Sequence, residues 1–142
     1  MIHFIVATHG PLALALLESS RMVYGELPKV QAVTLTEEAG IEGFQQAFSR
    51  VLADASEGAD GVLVLCDMQS GTPWNVACQR AFSPQTTPPV AVVAGVNFPM
   101  LLQTDDVSHF CDVQAAARQL IALTHPTLIQ AELTVSAQPD DF

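Results

Sequence analysis

Five short apolar runs punctuate the chain: Ile2 to Ala7, Val30 to Leu35, Gly61 to Cys66, Val90 to Val96 and Leu128 to Val135. Each is bounded by turn or cap residues, and their β-branched content predicts strands. The first, third and fourth are apolar at consecutive positions, as in parallel strands covered by helices on both faces. The last alternates, with Gln130, Glu132 and Thr134 between Ile129, Ala131, Leu133 and Val135. That pattern predicts an edge strand with one wet face, antiparallel or paired with another chain.

Between the runs, apolar residues recur at helical spacing. Pro11 opens a first helix to about Tyr24, stopped by Gly25, with Leu12, Leu16, Leu17, Met22 and Val23 as its buried stripe. Ile41, Phe44, Phe48, Val51 and Leu52 mark a second, from Gly40 to Ala55. Thr72 as N-cap and Pro73 at the first helical position predict a third. Asp112 or Ser108 caps a last helix through Ala115 to about Leu123. The order predicts an α/β fold: a doubly wound, mainly parallel sheet with helices on both faces and a C-terminal edge strand. Residues 1–142 read as one domain, with 136–142 as an acidic tail.

Composition narrows the function. At 49% hydrophobic, 142 residues are ample for one core. Lys+Arg number 5 against 15 Asp+Glu, a formal charge of -10. Nucleic acid and anionic membranes both demand clustered cations, so the balance argues against each. A positively charged protein partner fits better, because complementary fields speed encounter. No apolar run approaches the roughly 20 residues that span a bilayer, and the N-terminus lacks the pattern of a signal peptide. Cys66, Cys78 and Cys111 have no CxxC spacing, which suggests reduced thiols and a cytoplasmic setting.

The candidate chemistry lies where strands end. His9 follows the first run and Asp67 follows the third, and in parallel α/β sheets such carboxyl ends gather ligands. A histidine that carries a phosphoryl group needs a partner to fix its tautomer and N–H donors to hold the phosphoryl oxygens. Asp67 could supply the first; Ser70, Gly71 and Thr72, leading into a helix, could supply the second. Asp67 would orient the ring rather than touch the phosphoryl group, which carries negative charge and would repel it.

Three segments carry a resemblance: Phe4-Ile5-Val6-Ala7-Thr8-His9-Gly10, then Leu65 to Asn75 containing Asp67-Met68-Gln69-Ser70-Gly71-Thr72-Pro73, then Val93 to Leu101 containing Asn97-Phe98-Pro99. In order and spacing the chain resembles the mannose-type enzyme IIA (mannose/fructose/sorbose family) of the bacterial phosphoenolpyruvate-dependent sugar phosphotransferase system. The resemblance implies a cytoplasmic homodimer with a C-terminal strand exchanged between subunits. It implies a phosphotransferase whose His9 accepts a phosphoryl group from the carrier HPr and passes it to an enzyme IIB. The histidine-orienting aspartate of the family matches Asp67. Ser70 and Thr72 depart from a pattern that often has glycine and serine there, and the acceptor IIB is expected to be a separate chain. No cofactor or metal is called for.

Other readings share parts of this pattern. The chain could feed a dihydroxyacetone kinase, or act as a regulatory module switched by His9 phosphorylation. Ser70 beside His9 and Asp67 could serve a hydrolase, but no G-x-S-x-G elbow is present. Asp67 could merely cap its loop at Gln69 or Ser70. Cys66 and Cys78 have no basic neighbour to activate them, and His3, His109 and His125 lack metal-ligand spacing. Asn97 is a candidate wall of the site, and Trp74, Phe98, Pro99 and Met100 are candidates for an apolar docking rim.

Overall fold

The computed structural model describes residues 1–133. Four parallel strands, β1 (Ile2–His9), β2 (Val30–Leu35), β3 (Gly61–Cys66) and β4 (Val90–Ala94), form a sheet in the order β2-β1-β3-β4. The direction of winding reverses between β1 and β3. Helices α1 (Leu12–Val23), α2 (Gly40–Ser56), α3 (Gly71–Ala81) and α6 (Val113–Thr124) cover the sheet, with two short helices, α4 (Phe98–Leu102) and α5 (Thr104–Val107), after β4. None of the helices described is long and apolar enough to cross a membrane.

Period-two alternation along β1 and β3 divides the core in two. Ile2, Phe4, Val6, Leu63 and Leu65 meet α6, α1 and the α4 segment; Ile5, Ala7, Val62, Val64 and Cys66 meet Phe44, Phe48 and Leu52 of α2 with Ala77 of α3. Because both faces are buried, these strands carry no polar position before Thr8 except the half-buried His3, whose Nδ1 bonds the Ala55 carbonyl at 2.7 Å. Full burial of an aromatic such as Phe44 or Phe48 is worth about 1.5–3 kcal/mol.

The structure corrects several expectations. In α1 the sheet-facing residues are Ala13 and Ser20 with Leu16 and Leu17 beside them, whereas Leu12, Met22 and Val23 are exposed. Leucines surround this helix on nearly every side, so periodicity alone could not choose the face. Small Ala13 and Ser20 decide it by allowing close approach to the sheet. Ile41 is likewise exposed, at the start of α2. The fourth strand stops at Ala94, and the stretch from Gly95 leads into α4 instead. Residues 128–133 form no strand, and Leu128, Ile129 and Leu133 lie exposed. An alternating segment becomes a strand only where an edge accepts its hydrogen bonds, and among the described residues 128–133 pair with none. Thr134 and Val135, and the expected tail 136–142, lie outside the described residues.

Gly61 is where β3 meets α6. A Cβ there would sit 2.6 Å from Val113 Cβ and 3.3 Å from the Pro89 carbonyl oxygen. Gly61→Ala is therefore expected to cost about 1–3 kcal/mol by overpacking. Urea unfolding of the variant checks this, and an unchanged midpoint would refute the tight contact.

Candidate active site

His9 is the last residue of β1, and Asp67 follows the last residue of β3, on neighbouring strands. Asp67 Oδ2 accepts two hydrogen bonds, from the His9 backbone N–H and from Nδ1 of the ring, each at 2.9 Å. A carboxylate acceptor places the proton on Nδ1, so Nε2 carries the free lone pair. Asp67 caps neither Gln69 nor Ser70. Its side chain is 14% exposed, against 43% for His9. The other oxygen, Oδ1, is buried and has no hydrogen-bond partner among the described residues. Such a carboxylate gains most when its single partner ring acquires positive character.

Gly71 lies against the free nitrogen. A Cβ on it would be 2.8 Å from His9 Nε2 and 2.9 Å from Cε1. Its φ of +85° is also a conformation that only glycine adopts without strain. Helix α3 begins at Gly71, with Ser70 rather than Thr72 in the N-cap position, which corrects the expected cap. Ser70 is extended and makes no side-chain cap bond, and Pro73 has no N–H. The N–H groups of Gly71 and Thr72 are thus the open donors of this helix start. Those donors and the positive end of the helix dipole suit an anion beside Nε2. Of the three residues Ser70, Gly71 and Thr72, Gly71 is the one in close approach to the ring, with Ser70 and Thr72 flanking it in the chain.

His9 also borders a groove of about 710 Å³ between the starts of α1 and α2, lined by Leu14, Leu35, Glu37 and Ile41. Nothing in the sequence signalled this groove: Ile41 read as part of the buried stripe of α2, and Leu14 stood out in no way among the leucines of α1. Asn97 caps α4, its Oδ1 accepting the Met100 N–H at 2.9 Å. Met100 is 4% exposed and belongs to the core, so it is no docking rim; Trp74, Phe98 and Pro99 are half-buried. Among the described residues no cluster of three or more His, Cys, Asp or Glu could hold a metal.

Cys66 adjoins Asp67 in the chain but takes no part in this chemistry. Burial, and then the Asp67 charge, push its thiol from 9.0 up to about 12. The unfolded thiol ionises near 9.0 and the folded one does not, so this residue's contribution to stability is intact below that pH and lost as pH rises to about 12. The urea midpoint of the protein should fall across that window, and Cys66→Ala should flatten the fall. Equal slopes in both proteins would contradict it.

Gly71→Ala tests the close approach. The added methyl occupies the space beside Nε2, so any transfer through that nitrogen should drop roughly a hundredfold or more, while circular dichroism stays native. Undiminished transfer would show that the reacting nitrogen is approached from elsewhere.

A family model described as the fructose IIA component of the phosphotransferase system (EIIA-man) matches residues 3–121. The fructose-specific EIIA component of Bacillus subtilis is 37% identical over 103 residues, 72% of this chain and 68% of that protein. The sorbose-specific EIIA component of Lacticaseibacillus casei is 27% identical over 141 residues, covering 97% and 98%. Among solved structures, the mannose/sorbose-specific IIA subunit from Enterococcus faecalis superposes with a TM-score of 0.79 at 31% identity, covering 95% of this chain and 98% of that one.

Proposed function

This chain belongs to the EIIA-man family, phosphocarrier subunits of the sugar phosphotransferase system, and we propose that His9 is the residue that carries the phosphoryl group. The observation that carries this reading is the 2.9 Å contact from Asp67 Oδ2 to Nδ1, which leaves Nε2 unprotonated against Gly71. Phosphorylated HPr is the donor. The Nε2 lone pair forms a new P–N bond as the P–N bond in HPr breaks, and the electron pair returns to the donor's ring. The proton on Nδ1 stays in place, bonded to Asp67, which stabilises the positive character of the phosphorylated ring. The N–H groups of Gly71 and Thr72, with the hydroxyls of Ser70 and Thr72, receive the phosphoryl oxygens. Transfer of this kind asks little beyond positioning and charge stabilisation. The same step in reverse sense, onto a histidine of a separate enzyme IIB, hands the group towards sugar uptake.

Relatives named for fructose and sorbose place the substrate of the wider system among sugars. They favour transport over service to a dihydroxyacetone kinase, a purely regulatory role or Ser70-based hydrolysis. The protein works in the cytoplasm as one domain over 1–142. It forms a homodimer in which the segment from Leu128 pairs with β4 of a second copy. Two features support the dimer: β4 ends the sheet, and Leu128 and Ile129 are exposed beyond α6.

Incubation with phosphoenolpyruvate, enzyme I and HPr should give an acid-labile, base-stable adduct on His9, located by mass spectrometry, and none in His9→Gln. Asp67→Ala should lose about 1 kcal/mol of stability with its bond to the His9 backbone, remain folded, and slow transfer by roughly two orders of magnitude. An adduct elsewhere, or none, would overturn the assignment.

A further inference from the structure

We propose that the buried Thr8 hydroxyl is a positioning group for His9, fixing the turn that aims its ring. Thr8 is 0% exposed and continues the Phe4–Val6 row towards α1. The residue in the N-cap position of α1, Pro11, offers no side-chain cap. Thr8 Oγ1 does that work from further back, accepting the Ala13 N–H at 2.9 Å, with its own proton directed at the Gly10 carbonyl at 3.5 Å. The bond to Ala13 bridges His9, Gly10, Pro11 and Leu12, tying the end of β1 to the first turn of α1.

Other bonds hold the same turn from outside. The His9 N–H goes to Asp67 and the Gly10 N–H goes to the Leu35 carbonyl at 2.8 Å. Gly10, at φ +59°, is the pliable residue between them. Among the described residues, Thr8 gives the side-chain bond that ties β1 to α1, beside the Ala15 N–H bond to the Pro11 carbonyl at 3.0 Å within the helix start itself. Without the Thr8 bond the turn can pivot about Gly10 and carry the imidazole with it. Tolerance for that movement is small, because Nε2 is already packed against Gly71. A hydroxyl is required rather than a methyl, since α1 begins with N–H groups that no nearer side chain satisfies.

This inference rests on His9 being the phosphoryl acceptor, and its test separates the two. Thr8→Val keeps the shape and removes the hydroxyl; Thr8→Ser keeps the hydroxyl. Two readouts apply: ¹⁵N NMR of the His9 ring, and the rate of phosphorylation by phospho-HPr across donor concentrations. Thr8→Val should shift the ring nitrogen resonances towards a mixed tautomer. It should lower the saturated rate roughly ten- to a hundredfold with KM for HPr within about twofold, and Thr8→Ser should restore both. If valine prevents folding, Thr8→Ala carries the same expectation. A role limited to holding α1 predicts a lower unfolding midpoint with unchanged ring resonances and rate, and that result overturns the proposal, as does a serine variant as impaired as valine. Shifted resonances in a protein whose wild type takes no phosphoryl group would instead overturn the assignment of His9.

Discussion

A single carboxylate oxygen organises this protein's site. Asp67 Oδ2 takes the backbone N–H of His9 and the Nδ1–H of its ring together, so one atom sets where the residue sits and which nitrogen stays free. Both donors belong to one residue, so neither bond can be optimised without the other, and the ring loses its freedom to flip between tautomers. The second oxygen of Asp67 is buried without a hydrogen-bond partner among the described residues, so the carboxylate's hydrogen bonds all go to His9.

That arrangement depends on strand register. Ala7 lies opposite Cys66 in the parallel ladder, so His9 and Asp67 leave the sheet side by side. A slip of one residue would turn every side chain of β1 to the other face and bury what must be exposed. Both cores resist the slip: Phe4 and Val6 fill one face, and Ile5 and Ala7 the other. Apolar packing thus fixes the geometry of a polar site to within the tolerance of a hydrogen bond. The reversal of winding between β1 and β3 opens the crevice where these ends meet, as expected for doubly wound sheets.

The same packing separates inert groups from reactive ones. Cys66, one position before Asp67, faces the α2 side of the core, where burial keeps its thiol protonated. Helix α3, by contrast, begins without a side-chain cap beside Nε2. An uncapped helix start is a local loss of stability, and it leaves N–H donors of the kind that suit an anion.

Much of this was legible in the chain itself. Consecutive apolar residues in β1 and β3 can be satisfied only by a sheet covered on both faces, and β2 and β3 begin and end where their composition changes. His9, Asp67 and the Ser70–Thr72 turn were readable because strand ends and Gly-containing helix starts announce themselves in sequence. Direction and distance were not. The buried face of α1 was settled by how closely Ala13 and Ser20 approach the sheet, the fate of Met100 by the cap that Asn97 gives α4, and the character of residues 128–133 by the lack of a paired edge. Thr8 fell just past the end of the predicted first strand with nothing to mark its partner, and Ile41 looked like core. Local pattern encodes which residues prefer an element and a side, whereas the partner of a hydroxyl or the space beside a nitrogen is fixed only when distant segments converge.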